Sequence, residues 1–343
     1  MTSTRRRLVI LFAALATLAA LLAPGPAQAK DKRELTVMSQ NLYLGASLGP
    51  ALDPTFPGGL FGALPVILAE FQATDYVARS GAIADEIAAA GPDIIGLQEV
   101  SIWSFATGET VDFLQILQFQ LGLRGLTYVD VASSDNATIV VPGAVTFQDR
   151  DVILVNADTP GLSITGSDSG NFAAQFVLSG TPIGDISFNR GWALVDGTFE
   201  GKRFRFVNTH LETEDFPSVQ EAQTAEFLAG PAKAGGAVIA VGDFNSAADG
   251  STTASYDLLT KAYFDDAWNA NPGSDGYTCC QSSSLDNATS ELESRIDLVL
   301  THAAARALSA EVVGDTQFRD PLTMPPPFWP SDHAGVVAVI RIH

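Results

Sequence analysis

Short apolar runs that stop at a charged or amide residue recur through this chain, and they limit its fold more than any other feature. Asp93-Ile94-Ile95-Gly96-Leu97 ends at Gln98-Glu99, and Val238-Ile239-Ala240-Val241 ends at Gly242-Asp243-Phe244-Asn245. Ala334 to Ile340 begins directly after Ser331-Asp332-His333, and Ile296-Asp297-Leu298-Val299-Leu300 carries a lone acid inside the run. Runs this short, rich in Val and Ile and bounded by turn residues, predict strands buried on both faces, which demands covering layers on either side. Phe204 to His210 alternates instead, so that Phe204, Phe206, Asn208 and His210 share a face that turns from aromatic to polar at its end.

Helical spacing falls between the strands. Leu35-Thr36-Val37-Met38 predicts a strand ending at Gln40-Asn41, and a Gly/Pro-rich segment extends from Gly45 to Pro65. Ala78, Ala82, Ile83 and Ile87 then recur at helical intervals, with Thr74 as the expected cap and Gly91-Pro92 as the stop. A strand, helix, strand unit therefore opens the fold. No long linker or shift in composition divides the rest of the chain, and residues 30–343 read as one domain.

The first 29 residues stand apart. Arg5-Arg6-Arg7, the apolar stretch Leu8 to Ala23 and Ala27-Gln28-Ala29 predict a secretory signal peptide cleaved after Ala29, and Thr4-Arg5-Arg6 leaves room for twin-arginine export. The expectation is a secreted, extracellular mature protein. Hydrophobic residues make up 46% of the chain and charged ones 17%, enough apolar material for a large core. Losing the leader removes three Arg and no acid, which takes the net charge further below the −20 of the full chain. Such a balance opposes tight non-specific binding to nucleic acid or anionic membrane, although bound cations and a local Arg can still hold a phosphate.

The only cysteines, Cys279 and Cys280, are adjacent, so a long-range disulfide framework is impossible within the chain. A strained bridge between neighbours and two free thiols are both open readings, and a zinc site would need further ligands. Either way these residues shape the loop from Gly276 to Asp286.

The polar ends of the strands suit one chemistry. Phosphoester hydrolysis needs a cation to neutralise phosphate oxygens, and a hard ion such as Mg²⁺ takes oxygen ligands of the kind offered by Glu99, Gln98 and Asn41. Water must lose a proton, which asks for a His whose partner fixes its tautomer; His333 held by Asp297 or Asp243 fits. An isolated Asp297 within an apolar run itself needs a partner to offset its desolvation. His210, Asn208, Asn245 and Arg190 offer donors for the developing charge.

In order along the chain, Ser39-Gln40-Asn41-Leu42, Gly96-Leu97-Gln98-Glu99-Val100, Asn208-Thr209-His210-Leu211, Gly242-Asp243-Phe244-Asn245, Arg295-Ile296-Asp297 and Ser331-Asp332-His333 resemble the endonuclease/exonuclease/phosphatase superfamily. That group includes deoxyribonuclease I, inositol polyphosphate 5-phosphatases and sphingomyelinases. The resemblance implies an α/β (α+β) four-layer sandwich, two packed mixed β-sheets flanked by helices, with the site where strand ends meet. It implies Glu99 as the main metal ligand, Asn41 as a metal or phosphate contact, and Asp332 on the metal side. Asp243 and Asn245 would position nucleophile and phosphate, and His210 would bind or protonate the scissile group. His333 would be the general base oriented by Asp297. Arg190 and Asn208 complete the phosphate contacts.

The reading is a secreted Mg²⁺-dependent phosphoester hydrolase, with Mn²⁺ or Ca²⁺ as alternative ions and phosphodiesters ahead of monoesters. The expected partner is a phospholipid head group or nucleic acid, with peripheral membrane contact and no obligate protein partner. Pro57 to Gly62 and Pro325 to Pro330 are candidate recognition elements, because exposed Phe and Trp there would suit a lipid interface; local packing is the alternative. A non-catalytic surface-binding protein on the same fold is the reading from another class.

Overall fold

The computed structural model describes residues 34–343; the predicted leader lies outside the described residues. The buried apolar runs form strands as expected. In chain order these are β1 (Glu34–Asn41), β2 (Ile94–Gln98), β3 (Ile102–Phe105), β4 (Thr110–Asp112), β5 (Tyr128–Val141) and β6 (Val145–Asn156). They continue with β7 (Leu162–Asn171), β8 (Phe176–Thr181), β9 (Gly184–Phe188), β10 (Gly191–Phe199), β11 (Lys202–His210) and β12 (Ala237–Asp243). The last are β13 (Asp265–Asp266), β14 (Asp297–His302), β15 (Ala305–Val313) and β16 (Gly335–Ile342). Helices are α1 (Gly49–Leu52), α2 (Gly59–Ala73), α3 (Tyr76–Ala90), α4 (Phe113–Leu123), α5 (Pro217–Ala229) and α6 (Ser255–Ala262).

One mixed sheet runs β15-β16-β1-β2-β6-β3-β4 with β5 also paired to β6; the second runs β13-β14-β12-β11-β10-β7. β8 and β9 form a separate hairpin. Leu35, Val37 and Ile94 of the first sheet meet Phe204, Phe206 and Ile239 of the second in a purely β core. Ile83 and Ile87 of α3 and Leu117 of α4 cover the outer face of the first sheet, and Phe227 of α5 with Leu259 of α6 covers the second. This is the four-layer sandwich that the resemblance implies.

One local expectation is corrected. The cap of α3 is Asp75, whose side chain accepts from the Ala78 amide, while Thr74 closes the preceding helix and is buried. Asp75 wins because its carboxylate sits one position nearer the first free amides of the helix. The Gly/Pro-rich segment from Gly45 to Pro65 is partly helical. It contains α1 and the first half of α2, with Pro65 inside the helix, because burial of Leu60, Ala63, Ile67 and Phe71 outweighs the lost backbone bond.

Close approach of the sheets fixes one glycine. A Cβ on Gly96 of β2 would lie 2.4 Å from Val241 Cγ2 and 2.7 Å from Asn208 Oδ1. The two sheets thus pack closely directly beneath the predicted site.

Candidate active site

Register places the predicted residues in rows. Across the second sheet His210 of β11 pairs with Asp243 of β12, and Asp243 pairs with Asp297 of β14. Across the first sheet Asn41 of β1 pairs with Gln98 of β2, and Leu97 pairs with Val152 of β6, so that Asp151 stands next to Gln98 in the continuing register. The inward face of each strand is apolar up to this level, as with Val37, Ile94, Ile153, Phe206, Ile239 and Val299. Both inner faces therefore turn polar at the same depth. The two rows touch: the Asn41 amide donates to Asp243 Oδ2 at 3.1 Å, and His210 Nδ1 lies 3.9 Å from Asp151 Oδ1.

His333 enters from the segment before β16. Its Nδ1 donates to Asp297 Oδ2 at 2.8 Å, and its Nε2 lies 3.8 Å from Asp243 Oδ2. Of the two expected partners, Asp297 is the one that fixes the tautomer. Burial alone would lower the imidazole pKa, but Asp297, Asp332 and Asp243 together hold it well above its ordinary value. Burial and Asp297 raise the Asp243 carboxyl to about 7, against the opposing pull of His333.

His210 is the opposite case. Burial, then the adjacent Arg190 and His333, push its pKa well below that of a free imidazole. Arg190 Nη1 sits 3.0 Å from each ring nitrogen, and Arg190 also faces Glu212 at 3.7 Å. Of the two roles expected of His210, binding or protonating the scissile group, the lowered pKa favours binding, and Arg190 is the adjacent cation. A neutral imidazole can still donate a hydrogen bond.

Asn208 is corrected too. Its amide donates to Leu97 O at 2.9 Å and Val152 O at 3.2 Å, and its oxygen accepts from Gln98 Nε2 at 2.6 Å. Both donor hydrogens are spent and the side chain is wholly buried, so Asn208 ties one sheet to the other rather than contacting phosphate. Asn245 is half-buried and its amide donates to Leu211 O, while its backbone N–H donates to Asp243 Oδ1. It braces Asp243.

Glu99 and Asp332 stand at the mouth, both partly exposed. Glu99 Oε2 accepts from the Leu44 amide at 2.7 Å. Tyr43, Glu99 and Asn245 take φ values of 56°, 54° and 48°, in the left-handed region that side-chain-bearing residues avoid. Each lies just beyond the end of a strand of the site, and such conformations cost about 1–3 kcal/mol apiece, which concentrates strain where side chains must be aimed.

Sequence reasoning missed Asp149 and Asp151. Both point inward from β6, and neither oxygen of Asp151 has a hydrogen-bond partner among the described residues. Burial and then Asp149 push the Asp151 pKa well above a carboxylic acid's usual range, while burial and then Glu99 raise Asp149 to about 7. The signal was present in Asp149-Arg150-Asp151-Val152-Ile153-Leu154-Val155. Here the acids precede the apolar run, because β6 is antiparallel to β2 and its apolar run leads away from the site.

The loop residues resolve as well. Cys279 and Cys280 are joined as a disulfide between neighbours, Cys279 bridges to both Ser294 and His333, and Cys280 Sγ lies 3.9 Å from His333 Nε2. Phe328 and Trp329 are buried against Tyr43 and Leu285, with the Trp329 indole donating to Asn287 O. They stiffen the loop before His333 and are not free for a lipid interface.

Residues 38–333 match the Endonuclease/Exonuclease/phosphatase family, from the middle of β1 to His333 itself. The chain belongs to the endonuclease/exonuclease/phosphatase family. Members are generally hydrolytic phosphoesterases that use a divalent metal. The fold is similar to that of a family protein from Bacteroides thetaiotaomicron, 19% identical over 90% of this chain and 95% of that one, with a TM-score of 0.56. A family protein from Leptotrichia buccalis is 15% identical over 90% of this chain and 100% of its own, with a TM-score of 0.58. Truncated TDP2 of Caenorhabditis elegans is 18% identical over 90% and 98% of the two chains, with a TM-score of 0.50. No curated protein sequence matches the chain.

Proposed function

We propose that this family member is a secreted, Mg²⁺-dependent phosphodiesterase. The observation that carries the reading is the oriented pair of His333 and Asp297, set 3.8 Å from Asp243 where the two polar rows meet. The donor set suits a hard cation. Glu99, Asp332 and Asn41 offer oxygen only. Burial, with Glu99 adding to it and His333 opposing, brings the Asp332 carboxyl up to about 7, the response of crowded acids to one another that a bound cation would relieve. Asp243, Asp297 and His333 bring ligand atoms within 4.8 Å of one another, but Asp297 is already taken by His333 and Asp243 by Asn41. We assign that trio to proton handling.

Bound Mg²⁺ would neutralise phosphate oxygens and ease attack on phosphorus. The protein's own residues supply the remainder. Asp297 holds one His333 proton on Nδ1, and Nε2, beside Asp243, is the atom that exchanges a proton with the reacting groups, the surrounding acids favouring its protonated form. Arg190 and the neutral His210 donate to a phosphate oxygen on the opposite side. A diester suits the charge better than a monoester, because Arg190 is the lone arginine beside Glu99 and Asp149 in the small cavity at this end, and a second phosphate charge would meet those acids.

The leader supports secretion, and the acidic balance, which opposes nucleic acid and anionic membrane alike, leaves a zwitterionic phospholipid head group ahead of nucleic acid, the alternative. Phe61 and Val66, exposed on α2, are the surface for peripheral membrane contact. The test is turnover of bis(p-nitrophenyl) phosphate, p-nitrophenyl phosphate, sphingomyelin and plasmid DNA with Mg²⁺, Mn²⁺, Ca²⁺ or chelator. Chelator-sensitive cleavage, fastest on diesters and lost in a folded His333→Ala protein, is the expected result. Absence of turnover on every ester would favour a surface-binding role on a degenerate site.

A further inference from the structure

The adjacent cysteines have no place in phosphoester cleavage, yet they lie against its base. Both sulfurs fall within 4.8 Å of a ring nitrogen of His333, and Cys280 Sγ is 3.9 Å from Nε2. A bridge between neighbours encloses no stretch of chain, so it joins no two segments and its opening removes no long-range constraint. Backbone bonds hold the loop instead. Cys279 N–H donates to Ser294 O at 2.9 Å, and its carbonyl accepts from Glu293 and Ser294 at 2.7 and 3.0 Å. Gln281 N–H donates to Asp332 O and Ala334 N–H to Thr278 O, each at 2.8 Å. The cysteines are thereby pinned between the segment that enters β14 and the segment that carries His333, and their sulfurs stay beside the imidazole whether or not they are joined. Cys279 is buried and Cys280 exposed, so a reductant reaches the bridge from the Cys280 side.

We propose that Cys279 and Cys280, once reduced, form with His333 Nε2 a zinc site that shuts off turnover, and that the disulfide is the form of the loop that leaves His333 free. The inhibition rests on the phosphodiesterase reading above; the metal site rests on geometry alone. A dithiol gives two electrons and two protons to the bridge, which becomes two thiols as the dithiol closes to its own disulfide. Zn²⁺ then replaces the thiol protons, and any proton on Nε2, which pass to solvent. Thiolates and imidazole suit zinc, whereas Mg²⁺ takes oxygen, so this site and the mouth at Glu99 select different ions. Zn–S bonds of about 2.3 Å and Zn–N bonds of about 2.0 Å set sulfur and nitrogen roughly 3.5 Å apart on a zinc tetrahedron, near the 3.9 Å between Cys280 Sγ and Nε2. Asp297 already accepts from Nδ1 at 2.8 Å, the outer contact that aims an imidazole at zinc and raises its basicity. Three protein ligands leave the fourth position to water.

Metal titration of the full protein in excess Mg²⁺ tests the site without relying on turnover. Co²⁺ reports sulfur ligation through thiolate-to-cobalt absorption, and competition with a chromophoric chelator gives the affinity for Zn²⁺. In protein reduced with a phosphine the absorption should appear and saturate at a single Co²⁺ per chain; in the disulfide form it should be absent. Cys280→Ser should abolish it, while His333→Gln and Asp297→Asn should each weaken zinc about 10- to 100-fold. Stoichiometric Zn²⁺ should stop cleavage of bis(p-nitrophenyl) phosphate by the reduced protein and spare the disulfide form. Cys280→Ser keeps the base and should retain turnover with zinc in either buffer. Urea midpoints of the two redox forms should coincide, and a reduced form that unfolds overturns the pinned loop and the site with it. Equal zinc affinity in the two redox states, or reduced-state affinity untouched by His333→Gln, overturns the site. Zinc bound as expected with undiminished turnover overturns the inhibition. Zinc bound as expected by a protein that cleaves no phosphoester, with or without zinc, upholds the site and overturns the phosphodiesterase reading.

Discussion

Arg79 is wholly buried on α3 with no carboxylate paired to it among the described residues; its hydrogen bonds go to backbone oxygens. Nε donates to Thr74 O and Nη1 to both Leu42 O and Pro330 O at 2.8 Å, while Nη2 reaches Tyr43 O at 3.1 Å. The rings of Tyr43 and Tyr76 lie 5.5 and 5.1 Å from the guanidinium carbon. One side chain thereby joins the segment after Asn41 to the segment before Ser331-Asp332-His333. Bonds from a charged donor contribute about 1.5–3 kcal/mol each, offset by a desolvation cost of several kcal/mol for the ion. Removing the ion leaves the carbonyls without donors, and Arg79→Met should destabilise the fold by about 3–5 kcal/mol. Turnover measured where the variant is still folded should drop at least tenfold, chiefly in kcat, because the segments carrying Asn41 and His333 lose their common anchor. Arg79→Lys keeps the charge but not the fork and should fall between the two. Urea denaturation gives the first quantity and steady-state kinetics the second. A loss below about 1 kcal/mol would refute the energetic account. Full turnover in a destabilised Arg79→Met would refute the positioning role.

Other outcomes depend on single residues. Burial, then Asp315 and Asp85, raise the Glu86 carboxyl to about 8 from 4.5. Its proton is thus bound more tightly in the folded state, so its contribution is greatest below the unfolded pKa and declines as pH rises through the folded one. Glu86→Gln should leave stability unchanged near pH 4.5 and raise it by roughly 1–3 kcal/mol by pH 8, discounting for partial exposure; equal urea midpoints at both pH values would contradict this. Asp297→Asn removes the leading charge that raises His333, so the imidazole resonances should titrate at lower pH and turnover should fall about 10²–10⁴-fold; an unmoved titration would show that Asp297 does not govern His333. Gly96→Ala places a methyl 2.4 Å from Val241 Cγ2 and should cost about 1–3 kcal/mol in thermal denaturation. A neutral effect would mean that the sheets separate more readily than their packing indicates.

The strand pattern was legible because burial on both faces leaves a continuous apolar run, and the residues at its end are the ones freed from the core. This worked for β2, β11 and β12, which all deliver their C-terminal ends to the site. It failed for β6, which runs the other way and delivers the residues before its apolar run, so Asp149 and Asp151 were hidden by chain direction rather than by composition. Helix α3 shows a second limit. Its buried stripe is Tyr76, Arg79, Ser80, Ile83, Ala84 and Ile87, and a charge within that stripe reads as solvated until carbonyls from distant segments are seen to surround it. Asn208 shows a third. An amide at the end of a strand looks alike whether it faces a ligand or another sheet, and only the distance to Leu97 O separates the two.

The site also bears on why so much acid is tolerated in the interior. Asp151, Asp243 and Asp297 are nearly inaccessible, and desolvation opposes charging each of them. The large β core beneath them supplies the stability that such groups consume, and the tight sheet contact at Gly96 keeps the two rows from separating to admit water. Each acid then has a different means of being held. Asp297 is paired with His333, Asp243 accepts from Asn41 and from the Asn245 backbone, and Asp151 is left to keep its proton. Burial and distinct neighbours thus give carboxylates of identical chemistry different roles, so that Asp297 can orient His333 while the raised pKa of Asp151 favours its neutral form beside His210. The acids at the mouth, Glu99 and Asp332, lack that shelter and remain partly open to solvent, where an incoming cation or phosphate can reach them.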